Sequence, residues 1–151
     1  MIRSALTFAG FLVLTFLAPL AGVSAGPGEW YRSLVKPSWN PPSWIFGPVW
    51  TLLYIGIAAS AWGVWRRAGW CRAHAWWLAQ LALNAAWTPV FFGLHRMGAA
   101  IFVIVAMWLA ILGTIWSFGK VERWTAWLLV PYLAWVSFAT FLNITLWRLN
   151  T

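Results

Sequence analysis

Five long stretches of this sequence contain no Asp, Glu, Lys or Arg, and they limit its possible folds more than any other feature. They cover residues 4–28, 37–65, 73–95, 97–119 and 124–147. A helix needs about 20 apolar residues to cross a bilayer, so each stretch is long enough to cross once. Strands of a membrane barrel would instead show segments of about ten residues with alternating polarity. We therefore predict an all-α membrane protein, a bundle of five transmembrane helices at about 5–25, 45–65, 75–94, 98–118 and 124–147.

The composition supports this class of protein. Charged residues make up 8% of the chain and hydrophobic residues 63%, whereas soluble domains have about 25% charged residues. The absence of a long hydrophilic linker predicts a single domain over 1–151. The first stretch resembles a signal peptide that ends at Val23-Ser24-Ala25, but its long apolar part and Pro19 favour a retained span.

The formal net charge of +8 does not indicate nucleic-acid binding here, because the basic residues lie near the ends of the predicted helices. At those positions they meet lipid headgroups of the bilayer and influence orientation. The side that holds the N-terminus carries six of them: Arg3, Arg66, Arg67, Arg72, Lys120 and Arg123. The opposite side carries four: Arg32, Lys36, Arg96 and Arg148. The difference predicts a cytoplasmic N-terminus.

Polar side chains are few within the predicted spans. Gln80, Asn84 and Thr88 are spaced four residues apart in the third span, so they lie on one helix face. Thr140 and Asn143 lie in the fifth span. Because polar groups facing lipid are costly, these faces should point into the bundle. They could form hydrogen bonds between helices, or they could line a cavity for a largely apolar ligand.

Thirteen of the sixteen tryptophans divide into two groups by their predicted depth. Most lie near span ends, as in an interfacial aromatic belt: Trp30, Trp39, Trp44, Trp70, Trp76, Trp77, Trp124, Trp127 and Trp147. Trp50, Trp87, Trp108 and Trp135 lie well inside spans. A buried indole N–H needs an acceptor, which either a backbone carbonyl or a ligand could supply.

Two further segments lead to structural predictions. The segment 26–43 (GPGEWYRSLVKPSWNPPS) combines helix-breaking prolines with aromatic residues, so it should lie on the membrane surface or fold back over the bundle. The third span carries small residues at four-residue spacing, Ala75 with Ala79 and Ala82 with Ala86. Such pairs allow close helix packing in lipid, and we predict a homodimer interface there.

No catalytic or metal-binding constellation is evident in the sequence. The two carboxylates, Glu29 and Glu122, fall on opposite sides of the predicted membrane, and so do His74 and His95. Cys71 is the single cysteine. We therefore predict no catalytic residues, no metal and no cofactor.

Four segments resemble the translocator protein family, also called tryptophan-rich sensory protein or peripheral-type benzodiazepine receptor. Residues 30–42 (WYRSLVKPSWNPP) and 48–54 (PVWTLLY) resemble its first loop and second helix. Residues 80–92 (QLALNAAWTPVFF) resemble its third helix, and residues 131–143 (PYLAWVSFATFLN) resemble its fifth. The resemblance extends over about residues 8–149.

The resemblance implies a five-helix bundle that forms a homodimer in the lipid bilayer and binds porphyrins such as protoporphyrin IX, sterols or benzodiazepine-type compounds. The loop 26–43 would act as a lid. Matching positions imply ligand contacts at Tyr31, Trp50, Asn84, Trp87, Trp135, Ala139 and Asn143. The sterol motif of the family has a tyrosine where this chain has Ile144, which favours porphyrin and a bacterial member of the family. The expected location is a bacterial membrane, or the mitochondrial outer membrane for a eukaryotic member.

The leading functional hypothesis is a multi-pass membrane receptor or transporter-like protein for flat apolar ligands. An alternative is light- and oxygen-dependent porphyrin degradation, as the family resemblance suggests, which would use Trp50 and Trp135. A third is a structural or partner-recruiting role without a ligand.

Overall fold

The computed structural model describes residues 2–151, and all regular structure in that range is helical. The main helices are α1 (Ile2–Leu20), α3 (Phe46–Ala68), α4 (Ala73–Thr88), α5 (Met97–Val121) and α7 (Val130–Leu149). Two short helices complete the set, α2 (Glu29–Ser33) in the loop and α6 (Arg123–Trp127) before α7. Short 3₁₀ turns span Val23–Ala25 and Ser43–Ile45. The prediction of an all-α fold is confirmed for the described residues.

Four helical stretches are long and apolar enough to cross a membrane, Ile2–Ala25, Ser43–Ala68, Met97–Val121 and Arg123–Leu149. The protein is therefore an integral membrane protein.

α3 ends in a cap at Gly69. The φ of Gly69 is +66°, a conformation that glycine adopts readily, and its N–H donates to the Trp65 carbonyl at 2.7 Å.

Two of the predicted helices are interrupted, and a proline explains each interruption. The third ends as an α-helix at Thr88 and continues as a π-helix over Pro89–Gly93. Pro89 has no N–H to donate, and the Leu94 N–H bonds to the Pro89 carbonyl, five residues back. The fifth divides into α6 and α7 at Leu128 and Leu129, and Pro131 is the second residue of α7. Proline fits the first turn of a helix and disrupts an interior one, so α7 starts anew there.

Consecutive long helices run in opposite directions. At one end of the bundle the Trp62 indole N–H donates to the Ser4 carbonyl, which joins the end of α3 to the start of α1. At the other end the Asn150 side chain bonds to Val35 of the loop. We call these the basic end and the loop end, because the first holds Arg66, Arg67 and Lys120 and the second holds the loop 26–43.

The interior contains two apolar clusters. The larger is built around Ile57, Trp77, Ile111 and Tyr132, all fully buried between α3, α4, α5 and α7. The smaller lies at the loop end around Phe91, Met97 and Leu146, and the loop residues Trp30 and Tyr31 pack against it. Trp87 contacts both clusters. Of the predicted site residues, Trp50 and Ala139 pack against the larger cluster, Tyr31 packs against the smaller, and Trp87 alone of them packs against both.

Candidate ligand site

A directed chain of hydrogen bonds crosses the centre of the bundle. The Tyr54 hydroxyl on α3 donates to Asn84 Oδ1 on α4 at 2.8 Å. Asn84 Nδ2 donates to the Tyr132 hydroxyl on α7 at 3.1 Å, and Tyr132 donates to Gln80 Oε1 at 2.8 Å. The last donor of the chain, Gln80 Nε2, is buried and has no partner among the described residues. This series of hydrogen bonds connects the three helices α3, α4 and α7 at one depth in the bundle.

Trp50 covers one side of this hydrogen-bonded chain. Its ring stacks on Tyr54, with centroids 5.3 Å apart, and meets Tyr132 edge-on at 6.1 Å. Trp50 is half-buried. Its position is therefore set by two tyrosines whose hydroxyls are themselves fixed by Asn84.

A second polar pair lies nearer the loop end. The Trp87 indole N–H donates to Asn143 Oδ1 at 3.1 Å, and Asn143 Nδ2 donates to the Met97 carbonyl at 3.1 Å. Asn143 is 1% exposed. The Trp87 ring stacks on Phe91 at 5.0 Å. Asn143 thereby connects α4, α5 and α7.

Trp135 lies in a third group, made of aromatic rings. It meets Phe46 edge-on and Phe138 in a tilted arrangement, each with centroids 5.7 Å apart. Its indole nitrogen is buried and has no hydrogen-bond partner among residues 2–151. Trp39 of the loop packs on Phe138 at 5.9 Å. Ala139, on the same helix, is half-buried against the larger apolar cluster.

The loop 26–43 is attached to the bundle at several points. The Val35 N–H donates to Asn150 Oδ1 and Asn150 Nδ2 donates to the Val35 carbonyl, both at 2.9 Å. Trp30 stacks on His95 with centroids 4.2 Å apart. His95 has a φ of +55°, a strained conformation for a residue other than glycine. The loop is thus held by both polar and aromatic contacts.

Tyr31, the predicted ligand contact in the loop, rests edge-on against Phe92 at 5.3 Å. The Lys36 ammonium lies 4.7 Å from the centre of the Tyr31 ring. Burial raises the pKa of the Tyr31 hydroxyl above its ordinary value of 10.0, and a side-chain hydrogen bond with Asn40 acts in the opposite direction.

The prediction that the polar face of the third span points into the bundle is confirmed for Gln80 and Asn84, which are both buried, whereas Thr88 is half-buried. The assignment of Trp77 to the interfacial belt is wrong. Trp77 is fully buried, and its N–H donates to the Ile57 carbonyl. It shares a helix face with Gln80 and Asn84, three and seven residues further on, so it points into the core with them.

Tyr54 and Tyr132 were not among the predicted site residues, although both connect Asn84 to its surroundings. A signal for them existed: the chain has only three tyrosines, and these two lie within predicted spans. A buried tyrosine hydroxyl needs a polar partner, and Asn84 and Gln80 were among the few available.

Taken together, these features define a polytopic α-helical membrane protein with a buried polar and aromatic centre beneath an attached loop. The chain belongs to the TspO/MBR family, whose family model matches residues 6–148. It is similar to the tryptophan-rich sensory protein of Cereibacter sphaeroides, with 45% identity over 144 residues, 92% of this chain and 91% of that protein.

Two further relatives have comparable coverage. Protein CrtK of Rhodobacter capsulatus is 40% identical over 150 residues, 95% of this chain and 92% of that protein. The translocator protein of Homo sapiens is 40% identical over 146 residues, 89% of this chain and 86% of that protein. Membership of this family supports a sensory or binding role in the membrane.

Proposed function

We propose that this protein is a membrane receptor that binds a flat, conjugated ligand of the porphyrin type inside the helix bundle, beneath the loop 26–43. The ligand would lie against Trp50, Trp87 and Trp135. Asn84 and Asn143 would orient polar groups at its edge. Sterols and benzodiazepine-type compounds are further candidate ligands, because they too are flat and largely apolar.

The observation that carries this proposal is the buried indole N–H of Trp135, which has no acceptor among the described residues. A buried donor without a partner costs about 1–3 kcal/mol. A ligand carboxylate or carbonyl would remove that cost, and the Phe46 and Phe138 rings beside Trp135 suit a flat aromatic ligand. A porphyrin with propionate groups provides both the ring and the acceptor.

Ligand binding at this place requires movement of the loop. Trp39 covers Phe138, and Tyr31 covers Phe92 beside Trp87. A ligand that inserts among these rings must displace one or more of them. The loop would therefore act as a lid, held closed in this structure by Asn150 and His95.

Five membrane crossings follow if α4 and the π-helix after it are counted as one segment. α4 has 16 residues and the π-helix 5, and together they reach the length of about 20 residues that a bilayer requires. The C-terminus then lies on the side opposite the N-terminus. A bacterial membrane is the proposed location, in keeping with the bacterial relatives.

We further propose a homodimer that forms through α4. Ala75, Ala79 and Ala82 are exposed along one face of this helix, and Ala86, the fourth alanine of the predicted interface, is half-buried. Small residues at this spacing let helices of two chains approach closely in lipid. The larger side chains Trp76 and Leu78, which are 46% and 41% exposed, would border the contact.

The experiment is a titration of the detergent-solubilised protein with protoporphyrin IX in the dark, followed by porphyrin absorbance. Trp135→Phe should weaken binding about ten- to a hundredfold, because it removes one N–H donor to a charged acceptor, worth about 1.5–3 kcal/mol. Trp116→Phe is the matched control, since Trp116 is 64% exposed on α5. It should leave the Kd unchanged.

Equal weakening by the two variants would contradict the proposed site. Wild-type protein that shows no saturable binding would contradict the proposed ligand. Repeating the titration under illumination tests the alternative activity, because catalytic degradation would consume more than one equivalent of porphyrin per protein.

A further inference from the structure

A groove at the basic end of the bundle is separate from the candidate ligand site. It runs between the start of α1 and the end of α3, has a volume of about 510 Å³, and is lined by Ser4, Ala5, Phe8, Trp62 and Arg66. The hydrogen bond from Trp62 to Ser4, 3.1 Å long, fixes the two helix ends relative to one another. The Phe8 ring packs on Trp62 at 5.3 Å. The groove is therefore a feature of a tightly packed helix pair.

The position of the groove determines what kind of molecule can occupy it. α1 begins at Ile2 and α3 ends at Ala68, so the groove lies along the first two turns of α1 and the last two turns of α3, on the outer face of the bundle. That level corresponds to the boundary between the lipid headgroups and the acyl chains. Its apolar wall, Ala5 and Phe8, suits an acyl chain. A polar group at its mouth would face the headgroups.

Arg66 supplies a positive charge at that mouth. Its guanidinium lies over the Trp62 ring, 4.8 Å from the centre. Within residues 2–151 the one ion pair joins Arg32 to Glu29, at the loop end, so no carboxylate is paired with Arg66. A guanidinium held over an aromatic ring keeps its N–H donors available, and their planar arrangement matches a phosphate.

A second groove adjoins the first through Arg66. It has a volume of about 250 Å³ and is lined by Gly63, Arg66, Arg67, Glu122 and Trp124. Glu122 is the single acidic residue near this end, whereas the basic residues there include Arg67 and Lys120. The excess of positive charge favours a negatively charged headgroup over a zwitterionic one.

We propose that the groove between α1 and α3 binds one anionic phospholipid. The phosphate accepts hydrogen bonds from Arg66, and the glycerol backbone and one acyl chain lie along Ala5 and Phe8. The Trp62 ring packs against the Arg66 guanidinium, and the Trp62 N–H donates to the Ser4 carbonyl. The site is specific in position and chemistry, unlike the general attraction of basic residues to a membrane surface.

The test is native mass spectrometry of the full-length protein in mixed micelles that contain equal amounts of phosphatidylglycerol and phosphatidylcholine with identical acyl chains. The wild-type protein should retain one phosphatidylglycerol in preference to phosphatidylcholine. Arg66→Gln should lower the ratio of the two bound lipids about tenfold, as expected for loss of a charge-assisted hydrogen bond. Arg148→Gln removes the same charge at the loop end and should leave the ratio unchanged.

A second variant tests the apolar part of the groove without changing any charge. Ala5→Leu places a larger side chain on the groove wall and should lower retention of both lipids, while circular dichroism reports that the helices remain formed. Equal effects of Arg66→Gln and Arg148→Gln would overturn the proposal in favour of diffuse attraction. Equal retention of the two lipids by the wild-type protein would also overturn it, as would a larger effect of Arg67→Gln than of Arg66→Gln.

Discussion

Replacing Tyr132 with phenylalanine tests the central hydrogen-bonded chain. The change keeps the ring, which is fully buried, and removes the hydroxyl that accepts from Asn84 and donates to Gln80. Hydrogen bonds between helices in a membrane contribute about 0.6 kcal/mol each on average. Tyr132→Phe should therefore destabilise the protein by about 1.2 kcal/mol. Tyr54→Phe, which removes one bond, should cost about 0.6 kcal/mol.

The assay is reversible unfolding in mixed micelles with increasing sodium dodecyl sulfate, followed by circular dichroism. The two single variants and the double variant form a cycle, because both tyrosines bond to Asn84. We expect a coupling free energy that differs from zero, since residues sharing one partner are not additive. If Tyr132→Phe destabilises the protein no more than Tyr54→Phe does, the idea that Tyr132 joins two amide side chains across the bundle is refuted.

Two other substitutions test the lid and the helix packing. Asn150→Ala removes both hydrogen bonds to Val35. In stopped-flow mixing with protoporphyrin IX, the rates of association and dissociation should therefore each be several-fold faster than in the wild-type protein. Unchanged rates would contradict the role of Asn150 in holding the loop. Gly113→Ala should destabilise by about 1–3 kcal/mol, because a Cβ there would lie 2.6 Å from the Trp76 ring. Gly10→Ala is the control, because no atom lies within 4 Å of the new Cβ. The stability of both variants is measured by unfolding in sodium dodecyl sulfate. An equal loss of stability in the two would show that close packing at Gly113 is not the cause.

The helical fold was predictable from the charge-free stretches and their lengths, because a charged side chain within the bilayer is costly and each stretch is long enough for a helix to cross once. The interruptions at Pro89 and Pro131 were also visible in the sequence as residues without an N–H. The pattern of charged residues alone does not predict these interruptions, because proline is as uncharged as its neighbours.

The pairing of side chains across helices was not predictable in the same way. The four-residue spacing places Gln80 and Asn84 on one face of α4, and the polarity of that face indicates that it points inward. Which tyrosine meets Asn84 depends on the relative height and rotation of α3, α4 and α7, and no local pattern specifies these. The same reason explains Trp77, because its neighbour Trp76 is equally close to the helix end yet 46% exposed.

The most direct test of ligand binding inside the bundle uses the tryptophans as position markers. In a protein labelled with ¹⁵N at the indole nitrogens, each of the sixteen tryptophans contributes one N–H signal to a two-dimensional NMR spectrum, assigned by single Trp→Phe variants. Addition of protoporphyrin IX should move the Trp135 signal downfield as its N–H gains an acceptor. It should also shift Trp50 and Trp87 and leave Trp116, which is 64% exposed on α5, in place. A shift at Trp116 without any at Trp135 would place the ligand on the outer surface and contradict the account.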